Sequence, residues 1–191
     1  MALLKDLFNK YGTDKDLNGY TPYYDSIFKN IRYNPIDLLE IGIGTMFENV
    51  ECSMAKFCLE GYRPGGSLRA WRDYFVHGNI VGFDIQPDTQ FTEERIKTFQ
   101  GDSGNREEVD KDLKDMKFDI ILDDGCHLDE YQVITLKNLW HRVKPKGFYI
   151  IEDIQPWSRI STDFYDDIKA FVGPTSYTYF SEKKNILIIS K

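Results

Sequence analysis

The stretch "FDIILDDGCHLDEYQVITLKNLWHRV" (118–143) changes its periodicity once, and the change decides the fold. Residues 118–124 form a short continuous apolar run that ends on two adjacent aspartates, as expected of a strand covered on both faces. After Gly125, Cys126 and His127 the apolar residues Val133, Leu136, Trp140 and Val143 recur at helical spacing, which predicts a helix over 128–143 with one buried face. Strand, turn and helix in that order are the unit of a parallel α/β sheet.

The same unit repeats to either side. Strands are expected at 36–41, 79–85, 96–100, 118–124 and 147–153, each a short apolar run. Two more, 177–181 and 186–190, are separated by "EKKN", which reads as an antiparallel hairpin. Helices are expected at 21–31, 67–75, 105–116, 128–143 and 161–172, the last opening on Ser161 and Thr162 and stopping before Gly173-Pro174. The fold class is therefore α/β: a Rossmann-like, doubly wound, seven-stranded sheet, mostly parallel, closed by a C-terminal antiparallel hairpin. Residues 44–66 form a loop longer than such connections usually are, and loops of that length commonly serve function.

The chain's 191 residues suit one domain, 1–191, with residues 1–33 as an N-terminal cap, and a place within a longer polypeptide stays open. The net charge of −7 disfavours nucleic acid as a partner. The three cysteines lack C-x-x-C spacing, so neither a disulfide framework nor a zinc site is expected, and a reducing, cytoplasmic setting is. No secretory leader and no membrane span is legible.

Each of the five expected parallel strands delivers an acid at its carboxyl end: Glu40, Asp84, Asp102 just past the third, Asp123 with Asp124, and Glu152 with Asp153. Ligands of open α/β sheets bind outside that edge. Isolated acids there could be a solvated rim; a full set points to a ligand with hydroxyls and positive charge. Asp84 stands where an acid grips ribose hydroxyls. Gly42 and Gly44 of "EIGIG" let a ligand approach the backbone, but Phe47 replaces the third glycine of G-x-G-x-x-G, which weakens a dinucleotide reading. A nucleoside without phosphates fits better, and S-adenosylmethionine is such a ligand.

With "LLEIGIG", "VGFDI", "QGDS", "FDIILDDGCH" and "GFYIIEDI", the chain resembles the class I S-adenosylmethionine-dependent methyltransferases. Within them it is most similar to the metal-dependent sugar O-methyltransferases of the mycinamicin and macrocin type, which "YGTDKDLNGYTPYY" (11–24) and "PGGSLRAWRDYF" (64–75) also resemble. The likeness covers nearly the whole chain. It implies methyl transfer to a sugar hydroxyl of a glycan or glycoside.

Asp124, Glu152 and Asp153 come from two strands expected to be neighbours. Converging carboxylates raise one another's pKa unless a cation joins them, and an all-oxygen set favours Mg²⁺, with Mn²⁺ as substitute. The resemblance assigns a metal to the same three positions. His127 follows Asp124 by three residues and suits a general base for the acceptor hydroxyl; a helix cap or an aspartate partner is the plainer alternative. His77 and His141 lack such company, and Cys126 reads as a small filler. By resemblance, Glu40, Gly42 and Gly44 line the methionine and ribose side of the cofactor. Asp84 holds its ribose, Asp102 and Ser103 its adenine end, and Asp123 its methionine portion. Thr13, Lys15, Tyr20 and Ser67 close over it, although "GTDK" could be a simple turn.

Trp157 could stack on a sugar or pack under a loop, whereas Trp71 and Trp140 sit at core spacing. Competing readings are a catechol-like or other vicinal-diol acceptor, a metal-dependent hydroxylase or NAD oxidoreductase, and a binding module without catalysis. A homodimer is the assembly left open.

Overall fold

Eight strands pair into one sheet in the computed structural model, which describes residues 2–50, 53–56, 62–154, 163–174, 176–181 and 185–191. In chain order they are β1 (Asp37–Ile41), β2 (Asn79–Asp84), β3 (Thr92–Glu93), β4 (Ile96–Gln100), β5 (Phe118–Asp123), β6 (Val143–Ile151), β7 (Tyr177–Ser181) and β8 (Ile186–Ser190). Their spatial order is β3-β4-β2-β1-β5-β6-β8-β7. The five strands expected to be parallel are parallel, and β8 and β7 complete the sheet antiparallel. All seven expected strands are present; the short edge strand β3, antiparallel to β4, is an addition.

The helices are α1 (Leu4–Tyr11), α2 (Thr21–Phe28), α3 (Gly66–Tyr74), α4 (Arg106–Leu113), α5 (Asp129–Leu139) and α6 (Phe164–Val172). Alternation along each strand sorts the core into two layers. Leu38, Ile80, Ile120, Leu122 and Ile150 pack with α1, α2 and α3, where Trp71 meets Phe8, Tyr24 and Phe28. Leu39, Ile41, Phe83, Ile121 and Ile151 pack against α4, α5 and α6.

Several expected boundaries move: the helix expected over 21–31 ends at Phe28, that over 105–116 at Leu113, and the strand expected from 147 begins at Val143. The helix expected over 128–143 ends at Leu139, followed by a single 3-10 turn at Trp140–Arg142. Val143 already belongs to β6 and pairs with Phe118, so its helical spacing from Trp140 is coincidental. The helix expected over 161–172 is described over Phe164–Val172, and its expected opening on Ser161 and Thr162 lies outside the described residues, as does Trp157. Part of the 44–66 loop also lies outside them; its described portion holds a 3-10 turn at Met54–Lys56. Among the described residues no helix is long and apolar enough to cross a membrane.

Candidate active site

Chain order reverses between β1 and β5, so the cleft at their carboxyl ends is where a doubly wound sheet binds ligand. In parallel register Ile41 is level with Asp123, and Asp123 with Ile151. The next residues are held just as closely: the Asp124 N–H donates to the Ile41 carbonyl (2.9 Å) and the Glu152 N–H to the Asp123 carbonyl (2.9 Å). Period-two alternation then sends Glu40, Asp124 and Glu152 to the α1–α3 side, and Asp123 to the other.

On the first side the carboxylates meet a cation of the chain itself. Lys15 is 1% exposed, and its Nζ lies 3.1 Å from Glu40 Oε1, 2.8 Å from Asp124 Oδ2 and 2.6 Å from Glu152 Oε2. Burial opposes the ammonium, but Asp124, Glu152 and Glu40 outweigh it and hold the Lys15 pKa well above the lysine range. Two tyrosines join from α2 and the residue before it: Tyr24 donates to Glu152 Oε1 and Tyr20 to Asp153 Oδ1. Asp153 occupies the left-handed region (φ +48°), which aspartate tolerates better than most residues. Gln132 of α5 donates to the Glu152 carbonyl (3.0 Å).

Asp124, His127 and Asp153 form the outer part of the cluster, each offering one ligand atom within 4.8 Å of the others. His127 Nε2 stands 3.4 Å from Asp124 Oδ1. Burial would raise the Asp124 pKa, but the charge of Lys15 and the hydrogen bond and charge of His127 bring it down to about 2. Burial would lower His127; Asp124 first, then Asp153 and Asp123, raise it to about 9. The surrounding carboxylates thus favour the imidazolium, and chemistry that needs a neutral imidazole needs the charge of Asp124 offset. Glu152 faces Lys15 and Tyr24 rather than this outer group, and burial pushes its pKa up to about 7.

The remaining expected residues divide. Gly42 (φ +83°) and Gly44 (φ +86°) both need glycine. A Cβ on Gly42 would lie 2.0 Å from the Asp124 carbonyl oxygen, and one on Gly44 would lie 2.3 Å from the Tyr62 hydroxyl. Asp84 accepts from the Ile43 (2.6 Å) and Gln86 (2.8 Å) N–H groups, so its carboxylate also shapes the glycine turn. Asp88 accepts from the Thr45 hydroxyl (2.6 Å) and the Met46 N–H (2.8 Å), fixing the next two residues. Asp102 accepts from the Gly104 N–H (2.8 Å), and the Ser103 hydroxyl lies 3.1 Å from that of Thr135. Thr13 and Ser67 are buried; burial raises the pKa of Glu40, with Lys15 first and Ser67 last among the groups that oppose the rise. Asp123 is on the far face, where Tyr149 donates to Oδ2 (3.0 Å) and the Gly125 N–H to Oδ1 (3.4 Å). Sequence reading passed over Tyr24, Gln132, Tyr62, Asp88 and Tyr149. Only Tyr24 had a local signal, four residues after Tyr20 and so on the same helical face.

Gly42→Ala tests the junction. The left-handed backbone alone costs about 1–2 kcal/mol, and the clash with Asp124 adds to it. Gly125→Ala, whose methyl would lie 3.2 Å from Ile41 Cγ2, is the milder control. Urea unfolding should rank the variants in that order.

The fold and the acid-lined edge are those of the class I S-adenosylmethionine-dependent methyltransferases. No family model matches the chain. It is 35% identical over 158 residues to the mycinamicin VI 2''-O-methyltransferase of Micromonospora griseorubida, covering 79% of this chain and 36% of that protein. It is 34% identical over 154 residues to the demethylmacrocin O-methyltransferase of Streptomyces fradiae, again covering 79% and 36%. The MycE methyltransferase of mycinamycin biosynthesis, solved with Mg and SAH, superposes with a TM-score of 0.77 at 27% identity, covering 98% of this chain and 54% of that one. The chain is thus a homologue of the sugar O-methyltransferases of the mycinamicin and macrocin type. It spans about a third of the length of those curated relatives.

Proposed function

We propose that this chain is the catalytic unit of a divalent-metal-dependent O-methyltransferase that moves a methyl group from S-adenosylmethionine to a sugar hydroxyl of a glycan or glycoside. The observation that carries this reading is the group Asp124, His127 and Asp153 at the carboxyl edge of the sheet, in a chain homologous to sugar O-methyltransferases.

The residues suit both groups that the reaction calls for. Glu40 is fully buried, and among the described residues Lys15, 3.1 Å away, and Ser67 are the groups that favour its charge. It stands beside a glycine turn with no room for side chains, and a cationic, hydroxylated nucleoside suits that cradle. Asp124 and Asp153 supply hard oxygen donors for Mg²⁺ or Mn²⁺. Glu152 would be the third, since each of its oxygens keeps a lone pair beyond the bonds from Lys15 and Tyr24. When bound, the sulfonium supplies an electrophilic methyl, and the metal acidifies and orients the acceptor hydroxyl.

The chain's own part is positioning and proton transfer. Glu40, Gly42, Gly44, Asp84, Asp102, Ser103 and Asp123 would contact the cofactor, with Thr13, Lys15, Tyr20 and Ser67 closing over it. His127 would take the hydroxyl proton on its imidazole as the oxygen attacks the methyl carbon.

Labelled S-adenosylmethionine offered with glycosides and with catechols, in Mg²⁺ and in EDTA, tests the reading. Label should pass to the glycosides, and only with metal. Transfer to catechols alone would move the acceptor class, and full transfer in EDTA would remove the metal. Calorimetric binding of NAD but not of S-adenosylhomocysteine would favour an oxidoreductase.

A further inference from the structure

Lys15 is a buried cation in the inner part of the site, where three carboxylates converge on it. The ends of three neighbouring strands, β1, β5 and β6, each place a carboxylate on the same face, and these are Glu40, Asp124 and Glu152. The side chains of Glu40 and Glu152 are each 1% exposed and that of Lys15 is 2% exposed, so water screens little of this charge. Three like charges this close repel, and buried carboxylates are stable as anions only when a cation pairs with them. The chain brings that cation from far away, 109 residues from Asp124 and 137 from Glu152. It arrives on the segment between α1 and α2, which is fastened by the Tyr20 N–H to the Lys15 carbonyl (3.0 Å) and by the Thr13 N–H to the Phe8 carbonyl (3.2 Å).

We propose that Lys15 is a positioning residue, a built-in counter-ion that assembles Glu40, Asp124 and Glu152 before any metal binds. It shares their negative charge with the cation that Asp124 and Asp153 would hold. The second half of this inference rests on the proposed metal dependence; the first half does not.

The test counts charges by thermal unfolding of purified protein, in EDTA and in saturating Mg²⁺. In EDTA, Lys15→Met should lower Tm by about 10 °C, the scale expected for orphaned buried charges in a domain of this size. Adding Glu40→Gln removes one of the repelling charges, and K15M/E40Q should recover a large part of that loss. Lys15→Arg, which keeps the charge, should fall between wild type and Lys15→Met. Mg²⁺ should raise the Tm of Lys15→Met by more than it raises that of wild type, because the metal then meets uncompensated carboxylates. A double variant no more stable than Lys15→Met would overturn the proposal, and equal, non-zero Mg²⁺ increments in the two proteins would overturn its second half. Should Lys15→Met alone fail to fold, the double variant decides: folded supports the counter-ion role and unfolded overturns it. Absence of any Mg²⁺ increment in wild type, together with no Mn²⁺ binding by electron paramagnetic resonance, would count against the metal reading. The EDTA comparison would then still decide the role of Lys15.

Discussion

His127→Ala lowers kcat by about 10²–10⁴-fold and leaves S-adenosylhomocysteine affinity within a few-fold of wild type: this is the outcome expected of a general base that touches the acceptor and not the cofactor. The site makes the experiment sharper than a loss of activity. His127 Nε2 is 3.4 Å from Asp124 Oδ1 and shares a candidate ligand group with Asp124 and Asp153, so it could serve as a third metal ligand. The two roles separate on a second readout. A base leaves Mn²⁺ affinity nearly unchanged, and its kcat loss persists at saturating metal. A ligand loses Mn²⁺ affinity, and more metal restores much of its kcat. His127→Gln keeps a polar group of similar reach without a titratable proton. If it retained wild-type kcat, proton transfer would not be the role of this residue.

The sheet was legible because its signal is local. Each of the five parallel strands carries its own run, and at or just past the end of each stands an acid that marks the binding edge. The division between Asp123 and Asp124 was legible too, since adjacent strand residues must face opposite ways. α1 was within reach but was passed over: Leu4, Leu7 and Phe8 recur at helical spacing and Gly12 ends the helix in a left-handed conformation. The end of α5 was not within reach, because Val143 fits a helical period and only its pairing with Phe118 shows that it is a strand residue.

The interior of the site was hidden for a different reason. Lys15, Tyr20 and Tyr24 could be noticed as part of an unusual N-terminal stretch. Nothing local says that they reach Glu152 and Asp153, because those contacts close loops of well over a hundred residues. The left-handed turn at Asp153 is equally silent in sequence, since aspartate is common in both regular and turn conformations.

Asp123→Asn should stabilise the protein at alkaline pH. Asp123 is 2% exposed, and burial raises its pKa to about 7 in the folded state even though Tyr149 and Gly125 donate to it. In the unfolded chain an aspartate titrates near 3.9. The folded state therefore holds this proton more tightly, and the contribution of Asp123 to stability is full below about pH 4. It is lost progressively as pH rises through about 7, where the buried carboxyl must ionise. Asparagine has the same shape, can accept from the Tyr149 hydroxyl and never ionises. Linkage over those pKa values makes the gain from Asp123→Asn about 2.5 kcal/mol larger at pH 8 than at pH 5. Urea unfolding of both proteins at the two pH values measures it, and a difference that does not grow with pH would mean that Asp123 ionises at an ordinary pKa. The same variant settles its part in cofactor binding. An unchanged S-adenosylhomocysteine affinity makes Asp123 a core residue held by Tyr149, whereas a loss of affinity at both pH values makes its carboxylate a cofactor contact reached from the far face of β5.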